Sequence, residues 1–287
     1  MAQKIILSCD QSIFAQHLIE ALQLEPFSLK CLPQGVLAAE DSEQKLLEFL
    51  REEGADLLIN TLAYSVGDDP ERRALLVSAS EDMASAAKSL SIPIIQLSTH
   101  EVFGGENLTV YREDDHPSPL TALGQALWDA ERKVELQCEQ YIVYRLSWLI
   151  CHHGDSVFTR LLDLMLDKDK VAVSAERRAS PTFIDDACRV LVAMIKQIFS
   201  GAQNWGIYHY ASSDPCDEKE FAEYLSDIVS SLGHQTGQLT DDSSDVQYPS
   251  AVLGCISTRD DFGVQQRSWR LRLESRVKAY IDSHKVN

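Results

Sequence analysis

The chain has 287 residues, 45% of them hydrophobic and 24% charged, a globular composition long enough for one large domain or a main domain with a smaller companion. Its 26 basic and 44 acidic side chains leave a formal net charge of −18, which repels nucleic-acid backbones and anionic membranes, so neither is expected as a partner. No apolar stretch has the length of a signal peptide or a membrane span, which implies a cytoplasmic protein, and the seven scattered cysteines read as reduced thiols used as small hydrophobes.

From Lys4 onward, short β-branched runs alternate with longer helical segments, the pattern of βαβ units and a parallel sheet. Strands are predicted over 4–8, 27–33, 56–60, 92–98 and 141–147. Helices over 15–22, 43–53, 70–90 and 120–138 lie between them, with Gly54 as a C-terminal cap and Pro70 at a first helical position. Beyond 150 a helix is predicted near 155–167, a strand over 170–174, a helix over 183–199, a strand over 206–212 and a helix over 217–232. The polar stretch 233–247 has loop composition and is the candidate mobile segment. The last segment, 268–284, is a basic amphipathic helix with Trp269, Leu273, Val277 and Ile281 at a spacing of four. The expected fold is α/β: a Rossmann-like, doubly wound parallel sheet over 1–150, with 151–287 forming mainly a smaller C-terminal substrate lobe interleaved with it.

In such a fold ligands bind beyond the carboxyl ends of the strands. The turn after the first strand reads Ser8-Cys9-Asp10-Gln11-Ser12-Ile13-Phe14-Ala15 and lacks the glycines that let a dinucleotide diphosphate approach the backbone. Asp10 is read as the cap of the following helix, with Ser12 its rival, and its charge opposes an anionic ligand. The fourth strand ends in Ser98-Thr99-His100-Glu101, whose hydroxyls can hydrogen-bond a substrate carbonyl or simply terminate a strand. The acidic triplet Glu113-Asp114-Asp115 reads as a solvated loop. Leu123 and Leu127 share one helix face and can neither donate nor accept a proton. Cys151-His152-His153 is the one metal-like cluster, but further ligands at metal-site spacing are absent, so no metal is expected.

Four segments together resemble a known family. LLINTLAYSVGDDPE (57–71) is similar to a third-strand segment that begins Asn-Ala-Ala, with Asn60, Ala63, Tyr64, Asp68 and Glu71 in register. QLSTHEVFGG (96–105) resembles Ser-Thr-Asp-Tyr-Val-Phe-x-Gly, PLTALGQALWDAE (119–131) resembles Pro-Leu-x-x-Tyr-Gly-x-(Ser/Thr)-Lys-x-x-Gly-Glu, and YRLSWL (144–149) resembles Arg-Thr-Ser-Trp. In this order they resemble dTDP-4-dehydrorhamnose reductases of the extended short-chain dehydrogenase/reductase superfamily. The resemblance implies hydride transfer from NADPH to the C4 ketone of a deoxysugar nucleotide, with a Tyr as proton donor, a Lys lowering its pKa and a Ser or Thr orienting the carbonyl.

Carried over by position, Thr99 keeps the hydroxyl, Leu123 replaces the tyrosine and Leu127 the lysine, while Cys9, Ser12 and Ala15 replace the phosphate-loop glycines. Asn60 and Ala63 complete the degenerate cofactor positions; Tyr64, Ser98, Thr99, Arg145 and Pro181 are the substrate-binding candidates that the resemblance leaves. With proton relay and cofactor cradle altered together, the first reading is a non-catalytic homologue that acts by binding a sugar nucleotide or a protein partner, with no cofactor expected. The alternative is an active NADP(H)-dependent reductase with relocated groups, for which Tyr64, Tyr111 and Lys133 are the donors to consider. A third reading is a homo-oligomer joined through the leucine face of 120–131.

Overall fold

Ile5, Ile6 and Leu7 are buried on both faces of the first strand, which places it in the middle of a sheet covered on two sides. The computed structural model describes residues 2–8, 11–105, 110–154, 156–242 and 249–284. Among these, β1 (Lys4–Leu7), β2 (Ser28–Cys31), β3 (Leu57–Asn60), β4 (Ile94–Thr99), β5 (Tyr141–Leu146) and β6 (Gly206–Tyr210) form one parallel sheet in the order β6-β5-β4-β3-β1-β2. The protein is therefore α/β with a six-stranded parallel sheet, and the strand order reverses at β1/β3, where a doubly wound fold opens its ligand crevice.

Each connecting helix is fixed by local chemistry. α1 (Ile13–Gln23) is capped by Ser12, whose side chain accepts from the Ala15 amide, whereas Asp10, like Cys9, lies outside the described residues. α2 (Ser42–Glu53) stops at Gly54, held in the left-handed conformation at φ 65°. α3 (Pro70–Leu90) begins with Pro70 after Asp69, which accepts from the amides of Glu71 and Arg72. α4 (Ala122–Gln137) is capped by Thr121 and packs on α3 and β4.

Beyond residue 150 the chain moves between two cores. α5 (Val157–Asp167), α7 (Glu218–Ser231) and α9 (Leu273–His284) enclose a second core around Phe158, Leu162, Phe221, Trp269 and Val277. Between them, α6 (Ile184–Phe199) packs on α1, and β6 returns to the edge of the main sheet beside β5. α8 (Ile256–Phe262) lies against β6. The last helix starts later than its sequence pattern implies, since Trp269 precedes a 3₁₀ turn (Arg270–Arg272) that leads into α9, but Trp269, Leu273, Val277 and Ile281 are all buried. No helix among the described residues is long and apolar enough to cross a membrane.

Three expectations need correction. Gln238–Asp241, inside the stretch read as mobile, forms a parallel strand with Lys170–Val173, because backbone pairing does not need apolar side chains at a sheet edge; 243–247 lie outside the described residues. Glu113 is buried and accepts from the Ser257 amide, so it departs from its exposed neighbours Asp114 and Asp115. Cys31 is disulfide-bonded, while Cys138, Cys151, Cys188, Cys216 and Cys255 are free thiols and buried, as small hydrophobes are.

Candidate functional site

The crevice at the strand-order reversal is bridged by side chains. Ser8, just past β1, and Thr61, just past β3, meet with their hydroxyls 2.9 Å apart, and the Thr61 amide donates to Ser8 Oγ at 2.8 Å. Beside them Phe14, in the first turn of α1, stacks on Tyr64 with ring centroids 4.9 Å apart. The Tyr64 hydroxyl donates to the Ser98 carbonyl at 3.3 Å, so this ring joins the ends of β3 and β4.

Asn60 and Ala63 serve the same wall. Asn60 Nδ2 donates to Ser80 Oγ at 3.0 Å and Gln96 Oε1 at 2.9 Å, while its Oδ1 accepts from the Leu62 amide, which occupies the amide group entirely inside the protein. Ala63 is buried against the main core. At the start of α1, Ser12 Oγ takes up the Ala15 amide at 3.2 Å, and the Ala15 side chain is wholly buried. A diphosphate at a helix N-terminus uses the free amides of the first turn and the space left by missing Cβ atoms. Ser12 Oγ takes up one of those amides and its side chain stands where the second glycine of the cradle would be, which does not fit the dinucleotide that the resemblance implies, whereas Ala15 is turned into the core.

At the end of β4, Thr99 accepts from the Glu101 amide at 3.2 Å and caps the 3₁₀ turn His100–Val102. His100 is buried, its Nδ1 has no hydrogen-bond partner among the described residues, and burial lowers its pKa to about 4. Glu101 is titrated upward, first by desolvation, with Asp68 reinforcing and Arg177 opposing the shift. Tyr64 is pushed well above the usual phenol range, chiefly by burial, with Cys188 and the Glu101 carboxylate adding to it. Tyr64, Glu101, His100 and Arg177 thus share one electrostatic environment. Arg177 was not legible as a site residue, because only the fold brings its guanidinium over the Trp148 ring, 5.5 Å from its centroid, and against Glu218.

The leucines at the proton-relay positions are structural. Leu127 is 1% exposed within the main core, and Leu123 packs against the same core. Leu127 is thereby out of reach of a second copy, whereas Leu123 is only partly buried. Gly124 between them is required by close approach, since a Cβ there would meet the Glu101 carbonyl oxygen at 2.2 Å.

The structure withdraws Arg145 from the crevice. It is 1% exposed, and its guanidinium is engaged by Glu131 on α4 and by His209 on β6, with Nη1 3.3 Å from His209 Nε2. A buried guanidinium needs such a partner, and a fork matched to Glu131 leaves it no ligand-facing edge. Pro181 is buried, next to the two-residue strand Thr182–Phe183 that pairs with Leu149–Ile150. Among the residues considered as substitute donors, Tyr111 is buried and stacked on Phe103 at 4.3 Å, and Lys133 lies at the surface paired with Glu81 at 2.8 Å.

What does converge on the carboxyl ends of the central strands is a set of unpartnered polar atoms. Ser98 Oγ at the end of β4, Trp148 Nε1 just past β5 and Ser212 Oγ just past β6 are buried without a hydrogen-bond partner among the described residues, as are His100 Nδ1 and Ser180 Oγ. Such groups are costly unless something satisfies them.

Comparison with known proteins agrees with the fold. A family model described as the RmlD substrate binding domain matches residues 3–281. The dTDP-4-dehydrorhamnose reductase of Sinorhizobium fredii is 24% identical over 234 residues, which cover 77% of this chain and 79% of that protein. Among solved structures, the dTDP-4-dehydrorhamnose reductase of Clostridium acetobutylicum superposes with a TM-score of 0.81 at 20% identity, covering 99% of each chain. That of Bacillus anthracis, in complex with NADP, superposes with a TM-score of 0.80 at 20% identity, covering 99% of this chain and 100% of the other. At these identities the structural likeness establishes the fold.

Proposed function

The chain belongs to the RmlD substrate binding domain family, and from that premise we propose that it binds a sugar nucleotide at the carboxyl ends of its central strands without reducing it, as a binding, regulatory or assembly member of a reductase family. The observation that carries this reading is the burial of Leu127, 1% exposed in the main core, where the family resemblance calls for the lysine of the proton relay. A leucine there cannot lower the pKa of a proton donor, and Leu123 cannot be that donor.

The turn after β1 supports the same reading, because Ser12 consumes an amide of the first turn and carries a side chain where the cradle calls for a glycine. The unpartnered Ser98, His100, Trp148, Ser180 and Ser212 atoms near the same strand ends are sealed from solvent, so a sugar nucleotide reaches them only where the surrounding side chains move aside.

Calorimetry with dTDP and UDP sugars, NADPH and NADH tests the reading, together with NADPH absorbance in the presence of a dTDP-4-dehydro sugar. Saturable binding of a sugar nucleotide, no dinucleotide binding and no NADPH oxidation are expected. Tight NADPH binding would sink the argument from the altered cradle, and turnover abolished by Tyr64→Phe or Tyr111→Phe would establish an active reductase with a relocated donor.

A further inference from the structure

Cys151, which follows the short strand Leu149–Ile150, meets a histidine of the first helix. Its Sγ lies 3.4 Å from Nε2 of His17 on α1 and 3.7 Å from Nδ1 of His153. The donor atoms of the three residues all lie within 4.8 Å of one another. The partner that spacing along the sequence did not supply is thus delivered by the fold, from 134 positions away.

We infer that His17, Cys151 and His153 form a binding site for one zinc-class divalent transition ion, held by two imidazoles and a thiolate with a fourth position open. Geometry is the first support. Bonds of about 2.3 Å to sulfur and 2.0–2.1 Å to nitrogen at tetrahedral angles put sulfur and nitrogen about 3.6 Å apart. The observed sulfur–nitrogen separations of 3.4 and 3.7 Å bracket that edge length.

The surroundings are those of a ligand set. The ring of His17 has its other nitrogen, Nδ1, 3.5 Å from Asp185 Oδ1 on α6, which orients Nε2 toward the sulfur as carboxylates do behind metal-bound histidines. Asp185 is held in turn by Arg276 of α9. The His17 and His153 rings face each other with centroids 5.5 Å apart and planes 28° apart. Gly154, at φ 79°, turns the chain after His153, and a Cβ there would touch only Ile13 at 3.5 Å. Cys151 is buried while His153 is exposed, which leaves the fourth position on the solvent side for water or a ligand atom.

The donor types select the ion. Two imidazoles and a thiolate suit zinc and its neighbours, and the hard cations magnesium and calcium prefer oxygen. On binding, the Cys151 thiol loses its proton to solvent and its sulfur lone pair enters the bond; both histidines bind as neutral imidazoles. The ion would fasten the segment that enters the second core to the first helix of the sheet.

The test is a titration of the metal-free full-length chain with Co²⁺, whose thiolate charge-transfer band in the near ultraviolet and intense visible bands report tetrahedral sulfur ligation. One ion per chain with both signatures, displaced by Zn²⁺, is expected. Cys151→Ser should abolish the charge-transfer band, and His17→Ala and His153→Ala should each weaken binding by at least about tenfold. His153 is exposed, so His153→Ala tests the site even if Cys151→Ser fails to fold. Absence of the band in the unsubstituted chain, its persistence in Cys151→Ser, or unchanged affinity in His153→Ala would overturn the site and leave a hydrogen-bonded Cys-His-His cluster.

Discussion

Arg145 of β5 and Glu131 of α4 hold each other in a two-point ion pair sealed between helix and sheet, with Nε to Oε1 at 2.9 Å and Nη2 to Oε2 at 2.7 Å. The guanidinium also lies over the Phe103 ring, 5.1 Å from its centroid. Removing one partner strands the other charge away from water. Glu131→Ala should therefore destabilise the fold by about 3–5 kcal/mol, whereas replacing both with apolar residues of similar size, Glu131→Leu with Arg145→Met, should cost far less. Urea unfolding measures both; equal losses for the single and double variants would show that the pair is not what matters there.

His100 makes a prediction in pH. Its pKa falls from about 6.5 in the unfolded chain to about 4 in the fold, because burial disfavours the cation and Arg177 repels it, outweighing a backbone hydrogen bond at Leu146. Below pH 6.5 the unfolded chain takes up a proton that the folded chain refuses, so stability is lost as pH falls from about 6.5 toward 4, by about 3 kcal/mol from this residue. His100→Asn should flatten that part of the pH profile relative to the unsubstituted protein. His209, whose pKa is driven well below its ordinary value by burial and by Arg145, keeps a slope of the same sign in both proteins, and the difference between them isolates His100. Parallel profiles would mean that His100 takes up its proton over the same pH range in the fold as in the unfolded chain.

Local chemistry made much of the fold legible. The start of α3 followed from Pro70, Gly54 ends α2 as a left-handed cap, and Trp269, Leu273, Val277 and Ile281 are buried as their spacing implied. What the sequence could not carry was pairing between distant elements. The retained Arg145 looked like a ligand-binding residue because its partner Glu131 is recognisable only once α4 is laid on β5. His17 beside Cys151 is the same kind of fact, as is the strand Gln238–Asp241, whose partner is Lys170–Val173 rather than an apolar face of its own. Leu123 and Leu127 were legible as wrong for proton transfer; that Leu127 is a core residue required the structure.

Gly124 tests the contact between α4 and the turn at the end of β4. In an unconstrained helix interior, Gly→Ala is worth about 1 kcal/mol in favour of the helix. Here the new Cβ would meet the Glu101 carbonyl oxygen at 2.2 Å and Pro119 Cβ at 3.0 Å, and the carbonyl is backbone that cannot swing aside. Gly124→Ala should therefore lower stability by about 1–3 kcal/mol, the ordinary cost of overpacking. A raised urea midpoint would show that the turn at Glu101 gives way.

Restoring the family residues separates a missing relay from a missing site. If loss of the proton relay alone silenced the protein, Leu123→Tyr with Leu127→Lys should create NADPH-dependent reduction of a dTDP-4-dehydro sugar. The geometry argues otherwise at two points. Leu127 is 1% exposed in the core, so a lysine there would lose apolar packing and bury an ammonium without a carboxylate, a loss of several kcal/mol. Independently, Ser12 still takes up an amide at the start of α1 and stands where a glycine belongs. The double variant is expected to unfold at lower urea than Leu127→Met, which should differ from the unsubstituted chain by less than about 1.5 kcal/mol, and to show no turnover and no NADPH binding by calorimetry. Measurable turnover in the double variant would place the whole defect in the relay and return the turn after β1 to the role of a working dinucleotide site.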